Sequence, residues 1–318
     1  MLPRRTFLHG AAAAAGVTLM PRSSLGAGLE PMTVMLDWLL NPNHAGLFAA
    51  QQSGAFERAG LAVKIISPSD PDSPSRLVAA GQVDLAVGYG SEINMIVSAG
   101  LPLLRIATLI DRPLNTIMAL DGVKTLADLK GKTIGYSVAG VEEAILDVML
   151  GSAGLKRDAF TAVKVNYDMV AAMLSGRLDA ATGAYRNAEV IQLEQMGRKP
   201  TVFLPEEHGV PMYDELILVA QRARVGDERL RRFIRALQEG VAALVKDPDG
   251  LFRAFAAAHS ELDTPYTKAS WQATMPLLAR DPGRLDEARY RKFQDFCIAQ
   301  GIIAKPLALD QFAVQLVA

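Results

Sequence analysis

One stretch of this 318-residue chain is written nearly twice, and the repetition limits the folds open to it. Leu77-Val78-Ala79-Ala80-Gly81-Gln82-Val83-Asp84-Leu85-Ala86-Val87-Gly88 returns as Met173-Leu174-Ser175-Gly176-Arg177-Leu178-Asp179-Ala180-Ala181-Thr182-Gly183. Each copy reads as a helix end, a glycine stop, an aspartate, and a strand of small residues reaching a Gly and a Tyr. Tyr89 and Tyr185 therefore fall just past the carboxyl ends of two similar strands. In open α/β sheets that edge is where ligands sit. Two such units, about a hundred residues apart, predict two lobes whose carboxyl edges face a shared cleft.

The rest of the pattern extends this reading. Apolar, β-rich runs at 32–36, 61–66, 83–87, 103–110, 116–120, 133–136, 162–165, 178–182, 201–204 and 215–220 alternate with helical stretches. Such alternation predicts an α/β protein with largely parallel sheets. From Asp227 onward the pattern is almost wholly helical. Arg112-Pro113-Leu114-Asn115 and Val210-Pro211-Met212-Tyr213 each place a proline between apolar strands, where the chain can cross between lobes. The expected first lobe is 28–111 plus 215–318, with the second, 112–214, inserted in it. Two crossings make a hinge that a ligand can close.

The first residues serve another purpose. Paired Arg4-Arg5 before Phe7-Leu8 and a short, weakly apolar run mark 1–27 as a twin-arginine-type export signal. Leu25-Gly26-Ala27 offers a small-residue cleavage site, and the expected location is the periplasm. Neither this run nor any later one is long and apolar enough to span a bilayer. The one cysteine, Cys297, lies in a helical pattern, so neither a lipid anchor nor a disulfide within the chain is expected. Lys+Arg 33 against Asp+Glu 34 leaves a net charge of −1, which gives no basic footprint for nucleic acid. A monomer is expected.

Catalytic signatures are scarce: there is no glycine-rich phosphate loop, nucleophile elbow or zinc-protease motif. His44, His208 and His259 are too scattered to name a metal site. A polar set instead gathers at strand ends. Asp37 and Trp38 follow the first strand, and His44 opens the next helix. Gly90, Ser91 and Glu92 follow the third strand, where Ser91 can cap a helix. Tyr136 and Ser137 close a strand of the second lobe. Tyr185 and Glu189 are one helical turn apart, so ring and carboxylate can face one ligand. Aromatic faces with carboxylates suit a flat, nitrogen-rich ring, whose amino groups donate to Asp or Glu. A sulfonate or nitrate would favour arginines and helix N-termini instead. No cofactor is expected.

The strings LDWLLNPNHAGLFAAQQSGAFERAGL, AAGQVDLAVGYGSE, DLKGKTIGYS and YDELILVA resemble the thiamine-pyrimidine and sulfonate/nitrate group of periplasmic solute-binding proteins. Asp37-Trp38 and Asn43-His44 most resemble its formylaminopyrimidine-binding branch. The resemblance implies a type II periplasmic binding protein fold and delivery of ligand to the membrane permease of an ABC importer for thiamine salvage. In that branch an aromatic residue and a Glu one turn later hold the pyrimidine, as Tyr185 and Glu189 would. Other members of the group bind riboflavin, sulfonates or other heterocycles. Fungal-type thiamine-pyrimidine synthases share the fold and supply an enzymatic alternative. They use a pyridoxal-phosphate lysine, a histidine four residues later and a cysteine-rich iron motif. Gly88 and Glu92 stand at the first two positions, and the third is absent. Replacing Arg4-Arg5 by a lysine pair is expected to stop export by the twin-arginine route, read as loss of the processed periplasmic form by mass spectrometry.

Overall fold

The computed structural model describes residues 28–120 and 122–317, so the export signal, with Arg4-Arg5, lies outside the described residues. Ten strands form two five-stranded sheets. The first lobe holds β1 (Glu30–Met35), β2 (Leu61–Ile66), β3 (Leu85–Tyr89), β4 (Leu103–Ile110) and β10 (Leu216–Gln221), in the order β2-β1-β3-β10-β4. The second holds β5 (Asn115–Ala119), β6 (Thr133–Tyr136), β7 (Thr161–Lys164), β8 (Ala180–Tyr185) and β9 (Thr201–Phe203), in the order β7-β6-β8-β5-β9. The two orders match strand for strand, and the repeated stretches both lead into the central strand, β3 or β8.

The sheets are less parallel than the alternation predicts. β1, β2 and β3 run parallel, as do β6, β7 and β8, whereas β10 and β5 are antiparallel to both neighbours. The cause is the crossings. The parallel strands end at the cleft, and a strand entering from the other lobe must begin there, so it runs the opposite way. β3, β4 and β5 are buried along their whole length, which suits sheets covered by helices on both faces. In the C-terminal helical region the helix Glu228–Lys246 buries Leu230, Phe233, Ile234, Leu237, Val241 and Leu244 at helical spacing.

The repeated aspartate has a definite task. Asp84 Oδ2 accepts the Thr33 N–H of β1 at 2.8 Å, and Asp179 Oδ2 accepts the Thr133 N–H of β6 at 2.8 Å. The ladders proper begin one residue later, at Val34 with Leu85 and at Ile134 with Ala180. Each carboxylate therefore supplies a rung that a backbone carbonyl cannot, and it fixes the register of the central strand.

At the crossings one buried carboxylate gathers three donors. Glu215 Oε2 accepts Leu114 N–H at 2.6 Å and Asn115 N–H at 3.1 Å, and Oε1 accepts the Asn115 amide at 2.9 Å. This binds the entry to β10 against the entry to β5. Replacing Asp84 or Asp179 by Ala is expected to lower stability by about 1–2 kcal/mol, with the Asn variants, which keep an acceptor, losing less. Urea unfolding of each variant checks this.

Candidate functional site

The carboxyl ends of β1, β3, β6 and β8 meet across a cavity of about 440 Å³, inside the roughly 300–1,000 Å³ range of small-molecule sites. Of the residues expected at the site, Asp37, Trp38, Ser137, Tyr185 and Glu189 line it, and so does Tyr89. Sequence reasoning missed Glu142, Tyr167, Gln192 and Tyr266, which also line it. Glu142 and Tyr167 follow the carboxyl ends of β6 and β7, the same edge that marks the others. Tyr266, in the helix Pro265–Thr274, comes from the C-terminal helices and has no such signal.

Four of the expected residues stand behind or beside the wall. His44 is 1% exposed and places Nε2 2.8 Å from Asp37 Oδ1. Its Nδ1 accepts the Asn41 N–H at 3.2 Å, so a neutral ring carries its proton on Nε2 and donates to Asp37. His44 thus orients the carboxylate that faces the cavity. Gly90 packs against the crossing, where an added Cβ would stand 2.1 Å from the Asp214 carbonyl oxygen. Ser91 is buried and makes no helix cap; among the described residues its hydroxyl has no partner. Tyr136 is half-buried at the end of β6, outside the wall. Glu92 instead lines a smaller cavity of about 80 Å³, with Asp72 and Arg76, which shares Asp37 and Tyr89 with the large one. Burial raises the Glu92 carboxyl to about 7.

The wall is aromatic and acidic. Trp38 meets Tyr167 edge to face, with ring centroids 4.4 Å apart. Asp37 Oδ2 accepts the Tyr89 hydroxyl at 3.3 Å. Glu189 Oε2 accepts the Tyr185 N–H at 2.8 Å, so this carboxylate is anchored and not freely solvated. Glu142 Oε2 accepts the N–H groups of Ser137 and Val138 at 2.7 and 3.1 Å. Its carboxyl lies against Gly183, whose φ of +81° and missing Cβ make the room; a Cβ there would stand 2.3 Å from Oε1. Burial raises Glu142 to about 8 and Glu215 to about 7, and raises Glu189 as well. Among the described lining residues there is no arginine, lysine or histidine.

Contacts between the lobes surround the cavity. Asn187, 1% exposed, donates to Asn43 Oδ1 and Thr274 Oγ1, both at 2.7 Å. Tyr167 donates to the Pro68 carbonyl at 3.1 Å, and Asp72 accepts Ala139 N–H at 3.2 Å and pairs with Lys164.

A family model described as NMT1/THI5 like matches residues 41–251. A Haemophilus influenzae protein named provisionally for thiamine biosynthesis is 43% identical over 90% of this chain and 92% of its own. A protein of Halalkalibacterium halodurans named formylaminopyrimidine-binding protein is 34% identical over 79% of this chain and 77% of its own. A Legionella pneumophila relative named 4-amino-5-hydroxymethyl-2-methylpyrimidine phosphate synthase is 26% identical over 78% of this chain and 80% of its own. Among solved structures, the alkanesulfonate-binding protein SsuA of Xanthomonas axonopodis pv. citri, bound to MOPS, superposes with a TM-score of 0.72 at 17% identity. That match covers 91% of this chain and 100% of the other. It shows the two-lobed periplasmic binding protein fold.

The buried carboxyls carry a consequence for stability. Glu142 and Glu215 titrate near 8 and 7 when folded, against 4.5 for an ordinary glutamate, so the folded state holds the extra protons between those values. Stability should then fall as pH rises from about 5 to about 8. Thermal unfolding of the unliganded protein across that window checks it, and Glu142→Gln is expected to flatten the slope.

Proposed function

We infer, from a chain that belongs to the NMT1/THI5-like family, that it is the solute-binding component of an ABC importer that captures a thiamine-precursor pyrimidine. The observation that carries this reading is the wall of the interlobe cavity, aromatic and acidic with no described cation. A sulfonate, nitrate or phosphate would face these carboxylates with no arginine or lysine in the described wall to offset the repulsion. An aminopyrimidine needs flat faces and acceptors for its amino hydrogens. Trp38, Tyr167 and Tyr185 offer the faces, and Asp37 and Glu189 offer the acceptors. The name of the Halalkalibacterium halodurans relative supports the same class of ligand.

In this reading the lobes 28–111 plus 215–318 and 112–214 open about the crossings, admit the ligand from the periplasm and close over it. Asn187 then rejoins Asn43 and Thr274. No helix among the described residues is long and apolar enough to cross a membrane, so the membrane step belongs to a separate permease.

The synthase reading meets an obstacle in the residues. The position expected for a pyridoxal-phosphate lysine is Gly88, which has no amine. An added Cβ there would meet Ser75 Oγ at 3.5 Å, so Ser75 and Val219 already pack against it. The chain has one cysteine, and Cys297 is 1% exposed with its thiol pushed up to about 12 by burial. These residues do not fit the cofactor and iron of that chemistry, and we assign no catalytic step to them.

Calorimetry tests the assignment with 4-amino-5-hydroxymethyl-2-methylpyrimidine, its formylaminomethyl counterpart and an alkanesulfonate. Either pyrimidine should bind and raise the melting temperature, while the sulfonate should do neither. Glu189→Ala should weaken binding about ten- to hundredfold, because a ligand amino group is left without its acceptor. Glu228→Ala, on an exposed helix start, serves as the control. Sulfonate binding without pyrimidine binding would overturn the reading.

A further inference from the structure

Glu142 uses one of its two carboxyl oxygens to accept two backbone donors and leaves the other without a hydrogen bond. Both of its hydrogen bonds reach Oε2, from the N–H groups of Ser137 and Val138. Oε1 has no hydrogen bond among the described residues and is not sealed from solvent, and its side chain lines the cavity. An oxygen that already accepts two N–H donors has no room to carry a proton of its own. Any proton on this carboxyl therefore sits on Oε1 and points away from the two amides. Resting on the pyrimidine reading, we propose that Glu142 is a specificity-determining residue that offers an Oε1–H donor to an unprotonated ring nitrogen or carbonyl oxygen of the ligand.

The surroundings favour the protonated form. Glu142 is 7% exposed, and burial lifts its carboxyl to about 8 against the pull of the two amides. Glu189, which opens the helix after β8, and Glu215 at the crossings add negative charge. Tyr89 on β3 and Tyr185 on β8 are coupled to it and stay neutral, their hydroxyls raised by burial. Asp37 lines the same cavity. Together with the acceptors Asp37 and Glu189, an Oε1–H gives the wall both halves of a donor–acceptor pattern. A 4-aminopyrimidine presents the complement, an amino group beside an unprotonated ring nitrogen. A purely acceptor wall would reward any polyamine or ammonium equally, and this wall would not.

The test is calorimetry of 4-amino-5-hydroxymethyl-2-methylpyrimidine with wild type, Glu142→Gln and Glu142→Ala between about pH 6 and about pH 9. Wild-type affinity should hold to about pH 8 and then fall by up to about tenfold per pH unit as Oε1 loses its proton. Glu142→Gln keeps an acceptor for the amides and a donor toward the cavity. It should stay within about threefold of wild type at low pH and lose most of the fall at high pH. Glu142→Ala should bind about ten- to hundredfold more weakly at low pH. Glu142→Gln as weak as Glu142→Ala at every pH would mean that the ionised carboxylate is what binds, and would overturn the proposal. So would wild-type affinity in Glu142→Ala. If Glu142→Ala fails to fold, the pH profile of Glu142→Gln alone decides. Wild-type protein that ignores the pyrimidine at every pH overturns the ligand reading, and this proposal with it, a result distinct from the variant outcomes.

Discussion

Glu215 holds the two lobes in register with each other. Its carboxylate is fully buried and accepts both Leu114 and Asn115 N–H groups as well as the Asn115 amide, where the chain enters β5. A buried carboxyl that lost these donors would carry an unmet desolvation cost. The crossings are therefore pinned side by side, and the carboxyl edges of the two sheets are held facing one another. The cavity lies between those two edges.

The electrostatics of the cavity follow from a second feature, the crowding of carboxyls with no described cation among them. Asp37 is steadied by neutral donors, His44 Nε2–H and the Tyr89 hydroxyl, and Glu142 and Glu189 by backbone N–H groups. These oxygens are satisfied by neutral donors and not by a counter-ion. A structural neighbour such as SsuA shares the scaffold without thereby sharing the chemistry.

Much of the scaffold could be read from the chain. All ten strands fall where the apolar runs put them, with ends shifted by one to three residues at several of them. The repeated Gly-x-x-Asp spacing pointed to equivalent strands, because a carboxylate one residue before the ladder is a local device; that both are central is a finding of the structure. Asp37, Trp38, Ser137, Tyr185 and Glu189 were legible as residues of the cavity wall because they lie at or just past strand ends. His44 was read as a wall residue and proves to stand one layer behind it, since adjacency in sequence says nothing of depth. Glu142 lay in plain view after β6. Its neighbour Glu143, which accepts Gly140 N–H and pairs with Arg157, carries the same letter in an unrelated setting.

The sequence alone determined the α/β alternation, the duplicated unit and the sheet edge that faces the cavity, because periodicity, glycine stops and strand-end position are encoded within a few residues. Only the tertiary structure decided which side chains share the cavity and which of its carboxyls burial raises. Tyr266 arrives from a helix some eighty residues beyond β8, and Glu142 is raised by burial and by Glu215, more than seventy residues away in the chain. Desolvation and through-space charge depend on three-dimensional packing, which no local pattern of residues records.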